Sequence, residues 1–285
     1  MNKSVDKTFN LGGSVEKALS GDYELKVIPV LQEAWKFTLR NFLSFSPAIL
    51  FLLLVQAAIF YTALQMQIGD PWQIIEMIQN PETLDPNVFQ AVFVANFSYE
   101  VVSAPIFAGV SLMAMSHAAG LKTYSRHIFK GLQFTIPVIV ATLAGLLLQG
   151  IAGMLLPLLS MYFSIAFSNA VLLICEKRVS PMRSLFLSLR AVNKKLFPVA
   201  TLYLVMMLAF VTAAVFYGFL LILVLPMFFH VKGIIYRNMF GITLKIVTTN
   251  EVNDDDDSDD EDDAGPSDSE DKENNDSKDS QIFNA

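Results

Sequence analysis

The stretch GLQFTIPVIVATLAGLLLQGIAGMLLPLLSMYFSIAFSNAVLLICE, residues 131–176, decides the fold. Between Gly131 and Glu176 it runs 44 residues without a charged side chain. A helix crossing the bilayer needs about 20 mostly apolar residues, because the hydrocarbon core is ~30 Å thick. The stretch is therefore two spans, with a tight turn near Gly150 to Pro157. A second run, the 36 uncharged residues between Lys195 and Lys232, reads the same way, turning near Tyr217 and Gly218. The first span begins at Phe42 and ends near Met66. Another lies over Val101–Ala119, preceded by a semi-polar stretch from Val88.

The reading is an all-α polytopic membrane protein with six transmembrane helices, at about 42–66, 98–119, 132–151, 155–175, 196–216 and 218–241. Residues 26–250 form the transmembrane domain, 1–25 a flexible N-terminal segment and 251–285 a disordered acidic tail. The apolar run at Phe42 begins too late and is too long for a cleaved leader.

Topology follows from the basic residues, which concentrate in cytoplasmic loops. With six spans and a cytoplasmic N-terminus, the inside receives residues 1–41, 120–131, 176–195 and 232–285. These hold six, three, six and five Lys/Arg, all 20 in the chain. Five or seven spans would put basic clusters outside. Both termini are therefore expected in the cytoplasm.

Composition agrees. The chain is 53% hydrophobic and 16% charged, where soluble domains carry roughly a quarter charged residues. Sixteen of the 27 acidic residues lie between Glu251 and Asp279. That tail cannot bury enough apolar surface to offset chain ordering. It suits docking to a basic protein partner, weak cation binding, or service as a counterweight to the basic body; a solvated tail without a partner is the plainer alternative. The single cysteine, Cys175, excludes an internal disulfide and a cysteine metal cluster.

One proline falls in each span: Pro47, Pro105, Pro137, Pro157, Pro198 and Pro226. Each kinks its helix or opens it. Phe45-Ser-Pro47, Phe134-Thr-Ile-Pro137 and Phe197-Pro198 each follow a basic segment, which suggests three hairpins. Glycines and small residues at 145, 150 and 153, and at 108, 109 and 111, allow close helix packing.

Two segments outside the hydrocarbon are amphipathic. Ser180-Pro181 opens one helix with Met182, Leu185, Phe186, Leu189 and Val192 at helical spacing, and Arg183, Arg190, Lys194 and Lys195 beside them. Lys26–Arg40 forms the other, with Trp35 suited to the headgroup region and Thr38 interrupting its apolar stripe. Both serve as elbows between spans or as sites for anionic headgroups. The acidic loop Gln67–Asn87 reads as a connector.

Intramembrane polar residues are the candidates for chemistry. Glu100 sits either at headgroup level or, if its helix starts near Val88, beside Asn96 and Ser98 in a polar pocket. Gln56 and Asn169 are neutral polar groups within spans, and Gln149 is a third. His117, His127 and His230 share no metal-ligating spacing. P-loop, His-Glu-x-x-His, Gly-x-Ser-x-Gly and EF-hand patterns are absent. The expectation is no enzyme, no cofactor, no metal and no nucleic-acid partner.

Ile75-Glu-Met-Ile-Gln-Asn-Pro-Glu82, Ala104-Pro-Ile-Phe-Ala-Gly109 and Leu172-Leu-Ile-Cys-Glu-Lys-Arg-Val-Ser-Pro-Met-Arg-Ser-Leu185, running on to Ser188-Leu-Arg190 and Asn193, resemble the YciC-type family of uncharacterised bacterial inner-membrane proteins. The likeness covers roughly residues 30–245. It implies a six-helix fold in the inner membrane and carries over no functional residues. The first expectation for function is a non-enzymatic accessory or scaffold protein, whose basic interfacial helices meet lipid and whose acidic tail meets a partner. The alternative is a small-solute or ion transporter or channel, lined by Glu100, Asn96, Gln56 and Asn169.

Overall fold

The computed structural model describes residues 5–70 and 86–248. The chain divides into two units, residues 1–9 with 243–285, and residues 10–242. Strands β1 (Val5–Leu11) and β2 (Ile242–Thr248) pair in a two-stranded sheet that the sequence reading did not anticipate. The acidic tail lies outside the described residues, as does most of the external loop.

The larger unit is helical. In chain order its helices are α1 (Val15–Ser20), α2 (Val27–Arg40), α3 (Phe42–Ile68), α4 (Pro86–Val102) and α5 (Ala104–Ala118). A 3-10 segment (Ser125–Phe134) leads into α6 (Thr135–Leu155), followed by α7 (Pro157–Ala166), α8 (Ala170–Lys177), α9 (Pro181–Lys194), α10 (Leu196–Val215) and α11 (Leu221–Phe240). Among the described residues five helical stretches are long and apolar enough to cross a membrane, and six if the bent pair α4–α5 counts as one. Such helices suit an integral membrane protein. Their outward faces support this, with Leu43 87% and Met154 89% exposed. A helix that is apolar all round needs an apolar surrounding.

Two expected spans are broken. The one placed at 98–119 begins earlier, at Pro86, and bends by 54° at Ser103. Pro105, in the first turn of α5, has no backbone N–H to continue the hydrogen-bond ladder of α4. The span placed at 155–175 is interrupted at Phe167–Asn169, between α7 and α8. Proline opens α5 and α7, lies near the start of α6 and α10, and falls inside α3 and α11. The turn after α10 uses Tyr217 and Gly218, both at positive φ.

Within the segment read as flexible, 1–25, the described residues form β1 and α1. Ser14 caps α1 by accepting from the Lys17 amide at 3.2 Å. Ala18, Tyr23 and Leu25 are buried. The Tyr23 hydroxyl donates to Ala191 O at 3.0 Å, and burial pushes its phenol above the ordinary range. This anchors the segment before α2 to α9. Three hydrophobic residues supplied what composition hid.

Both amphipathic helices are present, with their faces redrawn. In α9 the buried side is Ser184, Leu185, Ser188, Ala191 and Val192, while Met182 and Phe186 point outward. In α2 the buried side is Val30, Ala34 and Thr38, so Thr38 belongs to the packed face it was read as interrupting. Buried polar side chains need hydrogen-bond partners, and both helices bury hydroxyls because such partners exist.

The α5 N-terminal half and the 3-10 segment touch backbone to backbone. A Cβ on Gly109 would lie 2.6 Å from the Ile128 carbonyl carbon, and one on Gly131 would lie 2.9 Å from Gly109 Cα. Neither position has room for a methyl group. Of the small residues singled out earlier, Gly109 alone makes so close an approach; nothing lies within 4 Å of a Cβ at Gly150.

A candidate solute cavity at two helix breaks

The two breaks lie on one cavity. At the first, the Ser103 hydroxyl donates to Tyr99 O at 2.6 Å and accepts from Gln56 Nε2 at 3.1 Å. This ties α3 to the end of α4. At the second, the Ser188 hydroxyl donates to Ala166 O at 2.6 Å and accepts from the Asn169 amide at 3.3 Å. A serine from α9 thus serves backbone groups that the interrupted helix leaves free. Non-helical backbone at membrane depth is tolerated only where protein or a wet cavity surrounds it.

Between the breaks is a cavity of about 330 Å³. Gln56, Tyr99, Glu100, Thr142, Gln149 and Ser164 supply its polar lining, and Phe107 and Phe167 part of the apolar wall. Glu100 is half-buried and accepts from Asn96 Nδ2 at 3.3 Å through Oε1. Among the described residues no Lys or Arg forms an ion pair with it. A carboxylate withdrawn from water without a partner is costly. The arrangement is therefore suited to receiving a proton or a ligand.

A second polar cluster lies where α2, α5 and α11 meet. His117 Nδ1 and His230 Nε2 are 2.9 Å apart; His117 Nε2 is 2.7 Å from Thr123 Oγ1, and His230 Nδ1 is 3.1 Å from Thr38 Oγ1. The Thr38 hydroxyl donates to Ala34 O at 2.8 Å. That bond sets the direction of the rest. Thr38 must accept from His230 Nδ1–H, so His230 Nε2 is unprotonated and accepts from His117 Nδ1–H. His117 Nε2 then accepts from the Thr123 hydroxyl. Two neutral imidazoles satisfy every group, with no proton left over. The Phe45 ring closes the cluster, its centroid 5.2 Å from His117 and 4.9 Å from His230.

Charged side chains on α11 are held inside the unit. Lys232 is 5% exposed, with its ammonium 4.3 Å from the Phe107 ring centroid. Beyond Lys232, α11 stays packed against α2 and α5. The Arg237 guanidinium makes two bonds to Glu33, at 2.7 and 2.8 Å, and a third to Ala118 O at 2.8 Å. Bidentate geometry of this kind is stronger than a point-charge pair. Arg237→Lys is expected to cost about 1–2 kcal/mol in a denaturant titration. Lys26→Ala, which removes the exposed 3.0 Å pair with Glu24, is expected to cost less than ~0.5 kcal/mol.

No protein-family model, no curated protein and no solved structure matches the chain. The site therefore rests on geometry.

Of the four intramembrane residues singled out from sequence, Glu100 and Gln56 line the cavity and Asn96 reaches it through Glu100. Asn169 does not line it; its side chain donates to Met239 Sδ at 3.8 Å, and its Oδ1 is buried without a partner. Trp35 is 44% exposed, Arg183, Arg190 and Lys194 are exposed, and Lys195 is half-buried. The histidine pair escaped sequence reading because its members lie 113 residues apart. His127 stays apart from it, accepting from the Tyr124 amide at 3.3 Å. Among the described residues no group of three or more His, Cys, Asp or Glu is placed to hold a metal ion.

Proposed function

We propose that this chain is a six-span protein of the bacterial inner membrane that binds and passes a small polar solute through the Glu100 cavity. The observation that carries the reading is an unneutralised carboxylate in a cavity framed by two broken helices. Broken helices meeting at a polar site are how many transporters expose backbone and side-chain groups to a substrate. A volume of 330 Å³ is at the small end of ligand sites, which rules against lipids or peptides as cargo.

The orientation, with both ends cytoplasmic, is supported by the segregation of all 20 Lys and Arg. Reporter fusions after Thr123, Val179 and Asn250 should read cytoplasmic and one after Asn80 periplasmic. A cytoplasmic signal at Asn80 would overturn the orientation. The inner-membrane assignment is supported by the sequence resemblance to the YciC-type family.

Proteoliposome swelling with small polar solutes tests the function. Wild-type protein should accelerate entry, and Gly145→Leu should slow it at least about tenfold by filling the cavity. A Cβ at Gly145 meets only ordinary contacts at 3.8 Å, so the backbone tolerates the change. Equal rates in the two proteins would remove the cavity from the argument.

A second reading, an accessory protein without transport, is favoured by the outward faces of α2 and α9. Trp35 stands exposed on α2, and Met182 and Phe186 stand exposed on α9 beside Arg183 and Arg190, a composition suited to an interface with anionic lipid. Pull-down with and without residues 251–285 addresses its partner claim, since identical recoveries would count against a tail-bound basic protein.

A further inference from the structure

We propose that the solute is a small organic ammonium ion, which pairs with Glu100 against aromatic walls; this rests on reading the cavity as a solute site. Three features of the lining select the class. Among the described residues Glu100 is its one charged group, and the single bond from Asn96 is made to one oxygen of that carboxylate. Among the described residues no cation pairs with this half-buried anion, so a ligand cation that enters replaces lost hydration. An anionic solute would meet the carboxylate without a lining Lys or Arg to offset it.

The walls choose between kinds of cation. Tyr99, Phe107 and Phe167 line the cavity, and aromatic faces attract alkylated ammonium groups. A hard metal ion requires about six or more oxygen ligands at short range. The Ser103 hydroxyl is already committed, donating to Tyr99 O and accepting from Gln56. One of the two N–H groups of the Gln56 amide is used there. The group placed against the Glu100 carboxylate, Asn96 Nδ2, is an N–H donor, which turns away from a metal ion, whereas an ammonium can share the carboxylate with it. Lys232 lies on the Phe107 ring without lining the cavity, so its charge stands behind that wall. It therefore favours a cation seated toward Glu100, Tyr99 and Phe167.

Calorimetric titration of the purified full-length protein with tetramethylammonium chloride tests this. Saturable binding is expected in wild type, weakened at least about tenfold in Glu100→Gln and in Gly145→Leu and largely kept in Glu100→Asp. Tyr99→Leu should weaken it severalfold. Equal binding in wild type, Glu100→Gln and Gly145→Leu would place the cation elsewhere and overturn the proposal. No binding of tetramethylammonium, with swelling by neutral solutes still blocked by Gly145→Leu, would overturn the cation assignment and leave the cavity reading intact. Displacement of tetramethylammonium by sodium acetate but not by sodium chloride would point to an anion site and overturn it too. Should Glu100→Gln not purify as a single folded species, the Gly145→Leu and Tyr99→Leu comparison decides by the same criteria.

Discussion

Gly109→Ala is expected to lower the unfolding midpoint of the purified protein by roughly 6–12 °C, corresponding to a loss of about 3 kcal/mol or more. The added methyl would press on the Ile128 carbonyl, which is backbone and cannot rotate away. The 3-10 segment must then retreat from α5, and the Gly131–Gly109 contact opens with it. Gly131→Ala should act in the same way, since its Cβ points at the Pro105 carbonyl and the Gly109 backbone. Gly150→Ala is the control. Nothing lies within 4 Å of that Cβ, and replacing glycine in a helix gains about 0.5–1 kcal/mol. Light scattering or a thiol-reactive thermal assay would report all three. A Gly109→Ala midpoint within a degree of wild type would show that the segment packs otherwise than described.

Breaking the histidine pair should produce the second large effect. His230→Leu removes the acceptor for His117 Nδ1–H and the donor to Thr38; His117→Leu orphans His230 Nε2 and the Thr123 hydroxyl. Each buried group left unpaired costs about 1–3 kcal/mol, so each single variant should lose about 2–5 kcal/mol. The double variant removes both rings and leaves only two threonine hydroxyls, of which Thr38 keeps its bond to Ala34 O. It should therefore be less destabilised than the sum of the singles by about 1–3 kcal/mol. Strict additivity in denaturant titrations would contradict the hydrogen-bond chain.

These predictions come from features that sequence reading reached unevenly. The spans at 42–66, 132–151, 196–216 and 218–241 were legible because an uncharged apolar run of bilayer length has few alternatives. Their counterparts are Phe42–Ile68, Thr135–Leu155, Leu196–Val215 and Leu221–Phe240. The two breaks were not legible in full. Pro105 marks the first, yet the site becomes visible only when Gln56, 47 residues away, bonds to Ser103. Nothing local in Phe167–Asn169 marks the second, whose stabilising group, Ser188, belongs to another helix. Hydropathy also misdrew the buried face of α9: Met182 and Phe186 of the apolar stripe face outward, while Ser188 is buried because it serves backbone at the second break. Tyr23 was lost for a related reason: its partner, Ala191 O, lies 168 residues away. Glu100 was found from sequence because carboxylates are rare in such surroundings; whether it met lipid headgroups or a cavity depended on where its helix began.

The central claim is that a polar cavity around Glu100 is reached by water while the helices enclosing it face lipid. Cysteine accessibility in intact membranes tests it most directly, in a Cys175→Ser background with a charged, membrane-impermeant methanethiosulfonate reagent. Thr142→Cys and Ser164→Cys stand in the cavity lining, and Leu147→Cys stands on the outward face of the same helix as Thr142, where Leu147 is 58% exposed. The account predicts modification of the two cavity positions, slowed by tetramethylammonium, and none at Leu147→Cys. Modification of Leu147→Cys with both cavity positions silent would contradict it.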